Sequence, residues 1–150
     1  MRIGERVAID AGMFVLPHCE HLITIHDDVV IGHNLRLFAF NSIEVGQYCM
    51  FAADVTLTNG NHDKDSFVPS SGPLLIGRGC WIGNGARIVG SVRVGDNAIV
   101  AAGAVVVEDV PEEAIVGGVP ARVLGQRKLP DKVWHLNNTW FSPRNFREVL

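Results

Sequence analysis

Apolar residues in this chain recur at every sixth position. From Ile76 the series runs Ile82, Ile88, Val94, Val100 and Val106, all β-branched. The residue after each is mostly small: Gly77, Gly83, Val89, Gly95, Ala101 and Val107. Four positions after each aliphatic stand Cys80, Ala86, Val92, Ala98, Ala104 and Val110. A helix repeats at about 3.6 residues and a strand alternates at about 2, so a sixfold period fits neither by itself. It predicts a chain that turns a corner every six residues, with one short strand on each side.

The same phase occurs earlier. Ile25, Ile31 and Leu37 are six apart; the register then slips by two, and Val45, Phe51 and Leu57 resume it. Before Cys19 the fit is poorer, although Ile9-Asp10-Ala11-Gly12 reads as a weak coil. One such coil cannot bury its aliphatic face alone. Stacking coils at about 4.8 Å merges the faces into one core and pairs the backbones vertically. A β-sandwich would instead place strands roughly every 8–12 residues with polar alternation. Gly83-Asn84-Gly85 and Gly95-Asp96-Asn97 supply corner residues that tolerate positive φ.

Composition agrees with tight stacking. Of 150 residues, 47% are hydrophobic and 7% aromatic, with 16 glycines. A net charge of −3 and no basic stripe argue against nucleic acid as a partner. No apolar run is long enough to span a bilayer, and the first residues do not resemble a secretion signal. Cys19, Cys49 and Cys80 show neither zinc nor disulfide spacing, so reduced thiols and a cytoplasmic location are expected.

Three stretches carry a resemblance. Ile82-Gly83-Asn84-Gly85-Ala86-Arg87, then 94–106, then Gly118-Val119-Pro120-Ala121-Arg122-Val123-Leu124 resemble the hexapeptide-repeat acetyltransferases. That group includes maltose, galactoside and Nod-factor O-acetyltransferases and polysaccharide-modifying relatives. The resemblance implies an all-β, left-handed parallel β-helix over 1–124, a homotrimer, and acetyl-CoA as acyl donor to a hydroxyl of a sugar or polysaccharide precursor. Residues 125–150 are expected to form a helical extension that caps the coils. Its two short helices would begin near Leu129 and Ser142, burying Trp134, Trp140, Phe141 and Phe146.

The longest break in the repeat follows Leu57. Leu57 and Ile76 are nineteen residues apart where the period requires six, and the insertion is rich in Gly, Asn, Pro and Ser. It predicts a loop near 58–75 thrown out from the coil. His62 lies in it, and the resemblance assigns a loop histidine at this position as general base. A sugar hydroxyl is a weak nucleophile, and a neutral imidazole can take its proton in the transition state. Asp63, Asp65 or a backbone carbonyl is expected to hold the far ring nitrogen.

Further assignments follow from the resemblance. The Asn84 amide, after Trp81-Ile82-Gly83, would stabilise the oxyanion, and Trp81 and Gly83 would wall the thiol end of the donor. Ala101-Ala102-Gly103 would form a lane for the pantetheine arm. Arg122 would meet the phosphates, with Arg127 and Lys128 replacing a basic residue that relatives carry where this chain has Gly125. Relatives also often carry Thr-Lys where this chain has Val107-Glu108. Asn41, Asn61 and Asp63 are candidates for the acceptor pocket, and His18, His21, His26 and His33 are expected along one flank near it. No metal is expected: His21 and His26 have the five-residue spacing of γ-class carbonic anhydrases, but they precede His62 instead of following it. An N-acyltransferase acting on an amino sugar and a non-catalytic β-helix scaffold are the alternative functions.

Overall fold

The computed structural model describes residues 1–18 and 23–128, and within them every regular element is a strand. The chain winds as a left-handed parallel β-helix of triangular section. Its first coil is β1 (Arg2–Ile3), β2 (Ala8–Ile9) and β3 (Phe14–Pro17). The second is β4 (Ile23–Ile25), β5 (Val30–Ile31) and β6 (Arg36–Ala39). The third is β7 (Ile43–Val45), β8 (Met50–Phe51) and β9 (Thr56–Thr58). An antiparallel hairpin, β10 (Gly60–His62) and β11 (Pro69–Ser71), then leaves the body. Winding resumes with β12 (Leu74–Ile76), β13 (Trp81–Ile82) and β14 (Arg87–Val89), then β15 (Arg93–Val94), β16 (Ile99–Val100) and β17 (Val105–Val106). Finally β18 (Ala114–Gly118) continues the second side, and β19 (Ala121–Gln126) folds back antiparallel beside it.

Three sheets result, one per side. The first stacks β1-β4-β7-β12-β15, the second β2-β5-β8-β13-β16-β18-β19, and the third β3-β6-β9-β14-β17. The period of six places one residue of each side inside. Ile25, Val45, Ile76 and Val94 form one inner column; Ile31, Phe51, Ile82 and Val100 a second; Leu37, Leu57, Ile88 and Val106 the third, all buried. The residues four positions on, including Cys80, Ala86, Val92, Ala98 and Ala104, fill the inner corners. Replacing Ile88 by Gly removes a fully buried side chain and loosens a central strand. We expect a loss of about 3 kcal/mol or more, read as a lower unfolding midpoint. An unchanged midpoint would place Ile88 outside the core.

Two corners run as ladders of left-handed residues. Between the first and second sheets stand Arg6, Asp28, Tyr48, Gly79, Asn97 and Glu113; between the second and third stand Gly12, Asn34, Asp54, Gly85 and Gly103, all at positive φ. The Gly83 position has a different requirement. A β-carbon there would lie 2.5 Å from the Ala102 nitrogen of the next coil, so only glycine permits the stacking distance.

The first coil is complete, although its sequence reads as weak. Ile3, Ile9 and Val15 pair with Ile25, Ile31 and Leu37, in phase with the core. Within the described residues Ile3 and Ile9 are 45% and 38% exposed. At the other end β19 runs through Gln126 and covers the edge of β18, extending the second sheet. The helices expected from Leu129 onward lie outside the described residues.

Candidate active site

The insertion after β9 forms an ordered hairpin rather than a loop without regular structure. Gly60 pairs with Ser71, Asn61 with Ser70 and His62 with Pro69. It leaves the body where the third sheet turns back to the first. Leu75 pairs with Arg93 eighteen residues later and with Glu44 thirty-one residues earlier, so the ladder closes above and below the excursion.

At its base sits Asn59, fully buried. Its Oδ1 accepts from the N–H groups of Phe40 (2.9 Å) and Asn41 (3.2 Å), and its Nδ2 donates to the Ser42 carbonyl at 3.0 Å. This amide locks the corner where the hexad slips by two. Sequence reasoning passed over it; the available signal was an Asn at the foot of an insertion, one coil above an irregular corner. Asn41, assigned to the acceptor, instead caps its own turn: its Oδ1 accepts from Ser42 N–H at 2.7 Å.

The hairpin tip orients His62. The imidazole Nδ1 lies 3.0 Å from the Phe67 carbonyl, so the Nδ1–H tautomer donates there and the lone pair is on Nε2, on the ring edge away from that carbonyl. Of the expected partners the backbone carbonyl holds this place, and neither Asp63 nor Asp65 does. Phe67 adopts φ 57°, a left-handed conformation that bulky residues rarely take. Asp63 maintains the turn: its Oδ1 accepts from the N–H groups of Asp65 and Ser66 and from the Ser66 hydroxyl. The Ser66 N–H, its hydroxyl and the Asp65 N–H hold the Asp63 carboxyl below its ordinary value. A depressed carboxyl stabilises its fold above the unfolded value and loses that contribution as pH falls through the folded one. The clamp therefore persists at neutral pH and opens only in acid. Asp63 is committed to the tip, and Asn61 Oδ1 accepts from the His62 N–H at 2.8 Å.

The residues assigned to the donor gather elsewhere, along the second sheet and its corner with the third. Trp81 points outward from β13 and is 45% exposed, in an outer column with Val30, Met50, Ile99 and Ile115. Beside it runs a lane of small groups. Asn84 and Ala102 are exposed, the Asn84 carbonyl accepts from Gly103 N–H at 2.8 Å, and a β-carbon on Gly103 would meet nothing within 4 Å. Ala101 is half-buried at the inner edge of this lane, whereas buried Gly83 faces the next coil and not the lane. Arg122 pairs with Gly117 at its upper end and lies 3.6 Å from Glu108.

Arg127 departs from its expected use. Its Nη1 donates to the carbonyls of Gly79 (3.0 Å) and Asn97 (3.2 Å), sealing the first-to-second corner, and burial pulls its guanidinium below the ordinary value. Among the described residues, the histidines expected on one flank do not share it. His26 follows β4 and pairs with Glu44 at 2.8 Å; His33 follows β5 and pairs with Asp10 at 3.0 Å; His18 alone stands at the hairpin's corner. Spacings of eight and seven residues carry His18, His26 and His33 to three different corners, and His21 lies outside the described residues. Among the described residues no three metal-binding side chains converge, and no helix is long and apolar enough to cross a membrane.

Comparison with known proteins agrees with this architecture. Residues 74–107 match the bacterial transferase hexapeptide (six repeats) family. The chain is 29% identical over 110 residues to galactoside O-acetyltransferase of Escherichia coli K12, covering 70% of this chain and 54% of that protein. It is 33% identical over 119 residues to serine acetyltransferase of Haemophilus influenzae, covering 77% and 43%. The fold resembles that of a hexapeptide-repeat-containing acetyltransferase of Vibrio cholerae O1 biovar eltor solved with acetyl coenzyme A. The TM-score there is 0.78 at 26% identity, over 84% of this chain and 70% of that one. The chain spans 58% and 54% of the first curated relatives it matches, little more than half their length. In its repeat, its coils and its relatives, the chain is similar to the hexapeptide-repeat acyltransferases.

Proposed function

We propose that this chain is an acetyl-CoA-dependent O-acetyltransferase that acts on a hydroxyl of a sugar or polysaccharide precursor in the cytoplasm, with His62 as general base. The observation that carries the reading is the bond from the His62 Nδ1 to the Phe67 carbonyl. It fixes the tautomer and leaves Nε2, on an exposed hairpin, free to take a proton. In the reaction the acceptor oxygen attacks the thioester carbon as its proton passes to Nε2. The N–H of Asn84 stabilises the developing oxyanion. The C–S bond then breaks, and the imidazolium returns its proton to the departing thiolate, giving an ester and free CoA.

The donor lane fits an extended pantetheine arm because it is open and built of small groups along Asn84, Ala102 and Gly103. Arg122 at its upper end is the phosphate contact; its pairing with Glu108 is exposed and weak enough to be exchanged. Asn61, exposed on the hairpin, is proposed on the acceptor side, and Arg127 seals the first-to-second corner of the sheet that carries Trp81.

In one chain the hairpin leaves the third-to-first corner while the lane occupies the second-to-third corner, one full side away. A closed trimer brings the hairpin of one copy to the lane of the next, giving three equivalent sites. The outward apolar column of the second sheet supports such an interface. The test pairs two measurements on purified protein: thiol release from acetyl-CoA with saccharide acceptors, and mass in solution. We expect transfer and a particle three times 16.3 kDa. A monomer that binds no acetyl-CoA would sink the reading.

A further inference from the structure

His18 is not absorbed by the chemistry above, yet it stands directly under the hairpin that bears the base. It follows β3, Phe40 follows β6 and Gly60 opens β10, so the three occupy one corner on successive coils. The His18 and Phe40 rings are stacked, with centroids 4.2 Å apart and planes at 23°. On the hairpin side a β-carbon at Gly60 would lie against the Phe40 ring. Imidazole, phenyl and hairpin backbone thus form a pile along the solenoid axis. Both rings are fixed in plane, and both remain exposed.

The hairpin's phase gives the direction of His62. Residues two apart on a strand share a face, and in an antiparallel pair directly opposed residues share it too. Gly60, His62, Pro69 and Ser71 are therefore on one face. Two observations show which way it looks: the Gly60 β-position abuts the Phe40 ring, and the Ser71 hydroxyl donates to the Phe40 carbonyl at 3.4 Å. His62 hangs from the same face, one two-residue step of about 6.7 Å further from the coil. The hairpin is a roof, the base hangs beneath it, and the ring edges of Phe40 and His18 make the inner wall.

We propose that this recess is the acceptor site and that His18 is a substrate-binding residue. Its ring-edge nitrogens would hydrogen-bond a second hydroxyl of the acceptor while the first meets His62. Its wall sets the apolar edge of Phe40 beside the polar edge of His18. That pattern selects an acceptor carrying two hydroxyls across a ring, a hexopyranoside, over a small alcohol with a single hydroxyl. The inference rests on the acyltransferase reading, because the second hydroxyl matters only if the first is acylated at His62.

The test compares acyl transfer from acetyl-CoA to methyl hexopyranosides and to 1-propanol, by wild type, His18→Ala, His18→Gln and Phe40→Leu. We expect at least one pyranoside to be preferred by wild type. His18→Ala should raise its KM about tenfold or more, with KM for acetyl-CoA and transfer to 1-propanol within about twofold. His18→Gln, which keeps a donor and an acceptor, should recover part of the loss. Phe40→Leu, which removes the stacking support, should reproduce it in a folded protein. An unchanged pyranoside KM in His18→Ala, equal losses for all acceptors, or wild-type preference for 1-propanol would overturn the recess. So would acetyl-CoA binding without transfer to any pyranoside. Absence of both acetyl-CoA binding and transfer would instead overturn the acyltransferase reading beneath it.

Discussion

His62→Ala should lower turnover about 100-fold or more, the usual contribution of a positioned general base. Binding of acetyl-CoA should change little, because the imidazole is assigned to the acceptor proton and the donor lane occupies another corner. The fold should be retained: His62 is exposed on the hairpin and contributes nothing to the inner columns. Turnover and donor affinity measured side by side separate the outcomes. Near-normal turnover in a folded variant removes His62 from the mechanism. Lost donor affinity with turnover intact moves it to the CoA site.

Asn59→Ala should be the most destabilising single change outside the aliphatic columns. The amide satisfies two N–H groups and one carbonyl at a point with no solvent access. Each buried group left without a partner costs about 1–3 kcal/mol, so the loss should reach about 3 kcal/mol or more. For a chain of this size that corresponds to a fall in melting temperature of about 10 °C. Asn61→Ala is the matched control: its exposed side chain makes one local bond, and the change should stay within about 0.5 kcal/mol. Activity should fall with stability in Asn59→Ala, because the hairpin is anchored through that corner. Equal melting temperatures for the two variants would show that the corner holds without the amide.

The solenoid was legible because its interior imposes one residue type at a fixed interval, and Ile76 to Val106 display that interval without interruption. The first coil was harder to see. Ile3, Ile9 and Val15 keep the interval, but Asp10 and Leu16 stand where small residues are expected, and a corner closes through side chains, Arg6 on Asp28. The position of the insertion was readable, its hairpin was not: Gly60–His62 and Pro69–Ser71 have little strand propensity, and their pairing is imposed by the Asn59 anchor below and the Asp63 turn above. What orients His62 could not be chosen from sequence, since every residue carries a carbonyl and only the left-handed bend at Phe67 aims this one. Arg127 misled for a related reason: a cation near a phosphate-binding turn and a cation that caps two carbonyls look alike until the corner is folded.

The stacking of the coils has a further consequence. In a stack where each turn touches only the turns above and below, cooperativity is one-dimensional, and protection is graded along the axis. The hairpin joins the third and fourth coils, and β7, β9, β12 and β14 there each pair with a strand on both sides. Amide hydrogens at its foot should therefore exchange among the slowest of the described coils, and the base is carried on a part of the rod that opens late.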